Sequence, residues 1–231
     1  MIFFNKVSKI YPAYQAKKEN VIFKDISFKI EKGEFVLIAG KSGTGKTTLF
    51  KMILGEEKPT SGKIFFNDKN IAKIPSSKIH ELRRKIGMVF QDYKLIPKKT
   101  VYENISYIME ALGISDEEIT KNIPELLEIV DLGNKAYHFP HELSGGEQQR
   151  ASVARALICN PDIILADEPT GNVDPYNAID IINLLLKINE TGVTVVLATH
   201  NKDVINRLNK RVITVGDGKI LRDELSGKFR I

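Results

Sequence analysis

The sequence holds a single cysteine, Cys159, in 231 residues. One thiol excludes an intrachain disulfide framework and agrees with a reducing compartment. Its flanks, Leu157-Ile158 and Asn160-Pro161, read as the end of a buried helix, so packing rather than chemistry is expected of it. Long apolar runs are missing too. A spanning helix needs about 18–20 consecutive apolar residues, whereas runs such as 35–39 and 163–166 have buried-strand length. The start, Met1-Ile2-Phe3-Phe4-Asn5-Lys6, lacks the basic and then apolar regions of a secretory leader. The expectation is a chain that is neither secreted nor membrane-spanning by itself. Repeats, low-complexity tracts and obvious linkers are absent as well. Nor does one sign of charge dominate: 34 Lys+Arg against 29 Asp+Glu leave a net charge of +5, with only brief basic runs such as Arg83-Arg84-Lys85. Charge alone therefore selects neither nucleic acid nor an anionic membrane as partner.

What is present is ordinary globular material. Hydrophobic residues make up 42% and charged residues 27%, and the length suits one compact domain or two small lobes around a sizeable core. Ile26, Phe28 and Ile30 alternate with Ser27 and Lys29, the pattern of a half-buried strand. Lys32-Gly33 then turns into Phe35-Val36-Leu37-Ile38-Ala39, a run typical of a strand buried on both faces. Similar runs recur at residues 86–90, 163–166, 193–198 and 212–215, with helical patterns at 47–54 and 177–189. Strands alternating with helices predict a parallel sheet covered on its faces. Residues 101–142 instead read as helical, with Ser115 and Glu118 spaced as a capping box and Pro124 either kinking that helix or starting the next. The tail predicts a hairpin turned at Asp217-Gly218.

The strongest local signal follows the 35–39 strand. Gly40-Lys41-Ser42-Gly43-Thr44-Gly45-Lys46-Thr47, followed by Thr48, fits the P-loop pattern. Its glycines let successive backbone N–H groups point inward at phosphate oxygens, and the helix that follows adds its N-terminal partial charge. Lys46 would bring a full charge to the β- and γ-phosphates, and the Thr47 hydroxyl would ligate Mg²⁺. Further along, Ile163-Ile164-Leu165-Ala166 ends in Asp167, placed to hold Mg²⁺, and Glu168, placed to orient or deprotonate an attacking water. A chain binding ATP or GTP with Mg²⁺ is expected. Ser144 and Glu147 form a second capping-box pattern at Leu143-Ser144-Gly145-Gly146-Glu147-Gln148-Gln149-Arg150, where two glycines leave the helix end open to an anion.

Leu143-Ser144-Gly145-Gly146-Glu147-Gln148-Gln149 resembles the signature of the ATP-binding-cassette (ABC) ATPases. The P-loop, Gln91, Asp167-Glu168, Gly171-Asn172-Val173-Asp174 and Thr199-His200 stand around it in the family's order. The resemblance implies an α/β P-loop NTPase fold: a RecA-like parallel-sheet core, an N-terminal antiparallel β part and an inserted helical subdomain. The core would comprise residues 1–91 and 160–231, and the helical signature subdomain residues 92–159. It also implies a homodimer in the ATP state, two copies head to tail. Each ATP would then lie on one copy's P-loop and against Ser144, Gly145, Gly146 and Glu147 of the other. Tyr11 would stack on adenine, with Tyr14 a nearby competitor. Gln91 would reach Mg²⁺ and the lytic water, His200 the γ-phosphate, and Asp174 the dimer seam.

A narrower resemblance, to the cell-division branch of that family, rests on Phe90-Gln91-Asp92-Tyr93-Lys94-Leu95-Ile96-Pro97 and Lys99-Thr100-Val101-Tyr102-Glu103-Asn104. It implies an integral membrane partner of the FtsX type, other division proteins, a place on the cytoplasmic face of the plasma membrane, and no nucleic-acid partner. Phe90, Tyr93, Leu95 and Tyr102 are candidates for lining the partner's groove. The competing readings are the ATPase subunit of a lipoprotein-release or macrolide-type exporter, a soluble ABC ATPase acting on DNA or ribosomes, and a nucleotide-binding scaffold.

Overall fold

A computed structural model describes residues 1–12 and 20–228; Tyr14 lies outside them. Along the chain run β1 (Ile2–Tyr11), β2 (Asn20–Ile30), β3 (Phe35–Ala39), α1 (Lys46–Ile53), β4 (Ser61–Phe66), β5 (Lys69–Asn70), α2 (Ile79–Arg83), β6 (Ile86–Val89), α3 (Val101–Ala111), α4 (Asp116–Ile129), α5 (Gly145–Leu157), β7 (Ile163–Asp167), α6 (Pro175–Glu190), β8 (Thr194–Thr199), α7 (Lys202–Leu208), β9 (Arg211–Gly216) and β10 (Lys219–Glu224). The chain divides into two compact units, one made of Met1–Arg83 with the chain from Thr194 onward, the other of Arg84–Val193.

The first unit contains an antiparallel sheet in the order β2-β1-β4-β5. Phe4 and Phe28 are cross-strand partners, and their rings stack at 4.5 Å between centroids. Such pairs, with Ile2 opposite Ile30 and both fully buried, fix the register, because a one-residue slip would turn every apolar side chain outward. The same unit holds β3 between β8 and β9, all parallel, with Ala39 level with Thr199 on one side and Thr214 on the other. All five β3 residues are buried, as a strand covered on both faces requires. The β9–β10 hairpin turns at Asp217 (φ 48°) and Gly218 (φ 72°), two positive-φ positions in succession. Arg211 ties this edge together, donating to both Glu34 carboxylate oxygens at 2.9 and 3.0 Å and, as a fork, to Asp223 at 2.7 Å twice.

In the second unit β6 and β7 pair in parallel, from Ile86 opposite Ile163 to Val89 opposite Ala166. A Cβ on Gly87 would lie 2.6 Å from the Ala156 carbonyl, so glycine there lets β6 approach the backbone of α5. Helices α3, α4 and α5 bury Ile105, Met109, Ile119, Ile123, Leu127, Ala151 and Ala154. The cap of α4 is one-sided: Ser115 Oγ accepts from the Glu118 N–H at 3.3 Å, while the Glu118 carboxylate accepts from that hydroxyl at 3.4 Å and does not close the reciprocal bond. Pro124 neither starts nor ends a helix, because α4 continues through it to Ile129. The ring both removes the N–H that would have met the Thr120 carbonyl and crowds that carbonyl. Cys159 is half-buried two residues beyond the end of α5, and burial pushes its thiol pKa up.

Candidate functional site

In the first unit the phosphate loop is built at the C-terminal edge of β3. The loop closes on itself: Thr44 Oγ1 donates to the Lys41 carbonyl at 2.9 Å, and the buried Lys46 Nζ donates to the Gly40 and Lys41 carbonyls at 2.9 and 3.1 Å. Lys46 opens α1, whose cap, Gly45, has φ 97° and no side-chain bond to offer. A Cβ at Gly45 would come within 2.5 Å of Ile22 Cγ2 and 2.8 Å of Phe23 Cζ, so backbone conformation and packing both demand glycine. Lys41, Ser42, Gly43 and Thr47 are exposed, and Thr44 and Thr48 half-exposed, which leaves the mouth of the loop open to a ligand.

Register places the next residue. Because Ala39 is level with Thr199 at the ends of parallel β3 and β8, Gly40 and His200 are the next residues beyond the same end of the two strands. His200 is exposed there, at the strand edge where open parallel sheets bind ligands. Asn201 caps α7, accepting from the Asp203 and Val204 N–H groups at 2.9 and 3.3 Å. Tyr11, at the end of β1, has the Lys9 ammonium 4.6 Å from its ring centroid, and Lys9 in turn pairs with Glu57 at 2.6 Å.

The second unit repeats the arrangement. Val89, the last residue of β6, is level with Ala166, so Phe90-Gln91 follow the end of β6 while Asp167 closes β7 and Glu168 follows it. Glu168 adopts φ 48°, a left-handed conformation that costs a non-glycine residue about 1–2 kcal/mol. Gln91 exchanges hydrogen bonds with Asn172, a residue of the Gly171-Asn172-Val173-Asp174 motif to which the sequence assigned no partner. Phe90, Tyr93, Leu95 and Tyr102 are all half-buried.

At the start of α5 the capping box is complete. Ser144 Oγ accepts from the Glu147 N–H at 3.3 Å, and the Glu147 carboxylate accepts from the Ser144 N–H at 2.8 Å and hydroxyl at 2.9 Å. Those bonds, the backbone one foremost, lower the Glu147 pKa from its ordinary value. The two glycines have neighbours within the chain. A Cβ at Gly145 would lie 2.9 Å from the Tyr93 hydroxyl and 3.1 Å from the Asn172 carbonyl, and one at Gly146 2.6 Å from the Asn177 side chain. Asp174 caps α6, accepting from the Tyr176 and Asn177 N–H groups at 3.1 Å each and from Asn177 Nδ2 at 2.6 Å. The Asn177 bonds hold its pKa below the usual carboxylate value. Sequence reading had missed this capping role, although Asp174-Pro175 is a readable helix start.

Among the described residues no group of three or more His, Cys, Asp or Glu side chains could hold a metal ion. The candidates Thr47, Gln91 and Asp167 instead offer a hydroxyl, an amide and a carboxylate. This all-oxygen donor chemistry suits Mg²⁺, which keeps several waters and phosphate oxygens in its shell.

Comparison with known proteins gives these features a family. The ABC transporter family matches residues 23–171. The Bacillus subtilis cell division ATP-binding protein FtsE is 49% identical over 229 residues, covering 99% of this chain and 98% of the relative. The Escherichia coli K12 protein of the same name is 40% identical over 220 residues, covering 95% and 97%. Among solved structures, a dimeric post-hydrolysis state of the ATP-binding cassette MJ0796 bound to ADP and Pi superposes with a TM-score of 0.88 at 37% identity, covering 99% of this chain and 100% of that one. A second dimeric structure of the same cassette gives 0.88 at 38% identity, with the same coverage. With its phosphate loop, paired carboxylates and capped signature helix on an α/β frame, the chain belongs to the ABC transporter family of ATPases.

Proposed function

We propose that this chain is the ATP-hydrolysing subunit of an FtsE–FtsX type membrane complex in bacterial cell division. In this reading, two copies close head to tail on two ATP molecules, and closure is passed to an FtsX-type integral membrane partner that regulates cell-wall hydrolysis. The observation that carries it is the end-to-end match, at 49% identity, to a relative named for cell division. The dimeric cassettes with which the chain superposes support the homodimer. No helix among the described residues is long and apolar enough to cross a membrane. Attachment to the cytoplasmic face of the plasma membrane is accordingly assigned to the partner.

Each residue has a proposed task. The loop from Gly40 to Thr48 cradles the phosphates, Lys46 neutralises their charge, and Tyr11 stacks on the adenine. Thr47, Asp167 and Gln91 are the contacts for Mg²⁺, which when bound offsets charge on the γ-phosphate. Glu168 orients or deprotonates the attacking water, and His200 contacts the γ-phosphate. Ser144, Gly145, Gly146 and Glu147 meet the other copy's ATP, with Asp174 at the seam. The helical segment 92–159 acts as the lobe that carries the signature, within a core of residues 1–91 and 160–231. Phe90, Tyr93, Leu95 and Tyr102, all half-buried, are offered to the membrane partner.

The test is a pull-down of tagged Glu168→Gln protein from gently solubilised membranes in ATP–Mg²⁺. Recovery of a four-span division protein is the expected result. Recovery of an exporter would keep the ATPase chemistry and overturn the division role. Recovery of the soluble chain alone would overturn membrane coupling.

A further inference from the structure

Gln91 and Asn172 lie 81 residues apart and face each other through their amides. Asn172 Nδ2 donates to the Gln91 backbone carbonyl at 3.0 Å, and Gln91 Nε2 donates to Asn172 Oδ1 at 3.3 Å. Chemistry fixes the direction of both bonds. A backbone carbonyl only accepts, so the Asn172 atom that faces it is the nitrogen. Asn172 thereby turns its oxygen to the Gln91 side chain, and the Gln91 atom meeting that oxygen is the nitrogen. The end of the Gln91 amide turned away from Asn172 is its oxygen, the atom a hard cation requires.

Asn172 is itself held. The Tyr93 hydroxyl donates to its backbone carbonyl at 2.8 Å. Tyr93 and Lys94 take left-handed backbone angles, φ 58° and 53°. The Arg155 guanidinium of α5 donates to both their carbonyls, to Tyr93 at 2.8 Å. Space is kept for the pair as well, because a Cβ on Gly171 would lie 2.8 Å from Gln91 Nε2.

We propose that Asn172 is a positioning residue for Gln91, setting the amide so that Oε1 is presented to Mg²⁺, with Tyr93 holding Asn172 in place. The proposal rests on the reading of Gln91 as a Mg²⁺ contact. Partners behind a metal ligand typically change metal affinity or activity about 10–100-fold when removed.

The experiment measures Mn²⁺ affinity by electron paramagnetic resonance in the full chain with a non-hydrolysable ATP analogue, for Gln91→Ala, Asn172→Ala, the double variant and Tyr93→Phe. Analogue affinity in EDTA is measured alongside. Expected are Mn²⁺ binding about tenfold weaker in both single variants, no further loss in the double variant, and unchanged metal-free nucleotide affinity. Tyr93→Phe, which keeps the ring, is expected to show a smaller loss of the same kind and serves if Asn172→Ala does not fold. Weakening by Gln91→Ala alone, with Asn172→Ala and Tyr93→Phe at parent affinity, would overturn the positioning role and leave the reading of Gln91 standing. Parent affinity in Gln91→Ala would overturn that reading and the proposal with it. A further loss in the double variant would show that Asn172 acts independently of Gln91, which also overturns it.

Discussion

Glu147 closes the first turn of α5 back onto Ser144, its carboxylate accepting from the Ser144 N–H at 2.8 Å while its own N–H donates to Ser144 Oγ. The cap lowers the Glu147 pKa, so its charged form is favoured in the folded chain. A depressed carboxylate contributes stability above its unfolded value, about 4.3, and that stability is lost as pH falls through the folded value. Glu147→Gln keeps a side chain able to cap but cannot titrate. Its melting temperature is expected to fall less steeply below about pH 4.3 than the parent's. An identical acid limb in the two proteins would show that the cap is not a source of acid sensitivity.

Two glycines of the phosphate loop separate backbone strain from packing. Gly43 has φ 80° and open space where a Cβ would be, whereas Gly45 has φ 97° with Ile22 and Phe23 in that space. Gly43→Ala is expected to cost about 1–2 kcal/mol, the left-handed penalty alone. Gly45→Ala adds a clash with the fully buried Phe23 ring and is expected to cost about 1–3 kcal/mol more. Since about 1 kcal/mol moves the melting temperature of a chain this long by about 2–4 °C, thermal melts resolve the two. Equal shifts would remove the packing argument for Gly45.

Lys46 donates to two carbonyls of its own loop, which holds its ammonium at the loop's centre. Hydrogen bonds to charged groups contribute about 1.5–3 kcal/mol. Lys46→Ala is therefore expected to weaken ATP binding about 10–100-fold by calorimetry. Unchanged affinity would remove Lys46 from the phosphate cradle.

How far the site was readable depends on whether a contact is local. The phosphate loop, the Ser144–Glu147 cap and the Asp217-Gly218 turn each lie within eight consecutive residues, and backbone chemistry alone writes them into the sequence. Hydrophobic runs located β3, β6, β7, β8 and β9, because strands buried on both faces leave little choice of residue. Long-range pairing was not readable. Nothing in Tyr93 marks a hydroxyl bound to Asn172, 79 residues away, and nothing in Gly45 names Phe23 as its neighbour. The openness expected around Gly145 and Gly146 also looked different once the chain was folded, since Tyr93, Asn172 and Asn177 occupy the space a Cβ would take. Glycine there answers to neighbours as well as to any anion.

Glu168 offers the sharpest test of the chemistry. It follows the buried β7 strand at φ 48°. Replacement by glycine would relieve that backbone angle and mix two effects, so the isosteric glutamine is the informative change. Glu168→Gln keeps size and hydrogen-bonding reach but loses the base. Turnover is expected to drop by about 10²–10⁴-fold, the usual contribution of a general base, with ATP affinity within about threefold of the parent. With hydrolysis blocked, ATP–Mg²⁺ would hold two copies together, and sizing chromatography should show a dimer that disappears with ADP. Retained turnover would dismiss Glu168 as the base. Lost turnover without an ATP-dependent dimer would leave the base in place and count against head-to-tail closure.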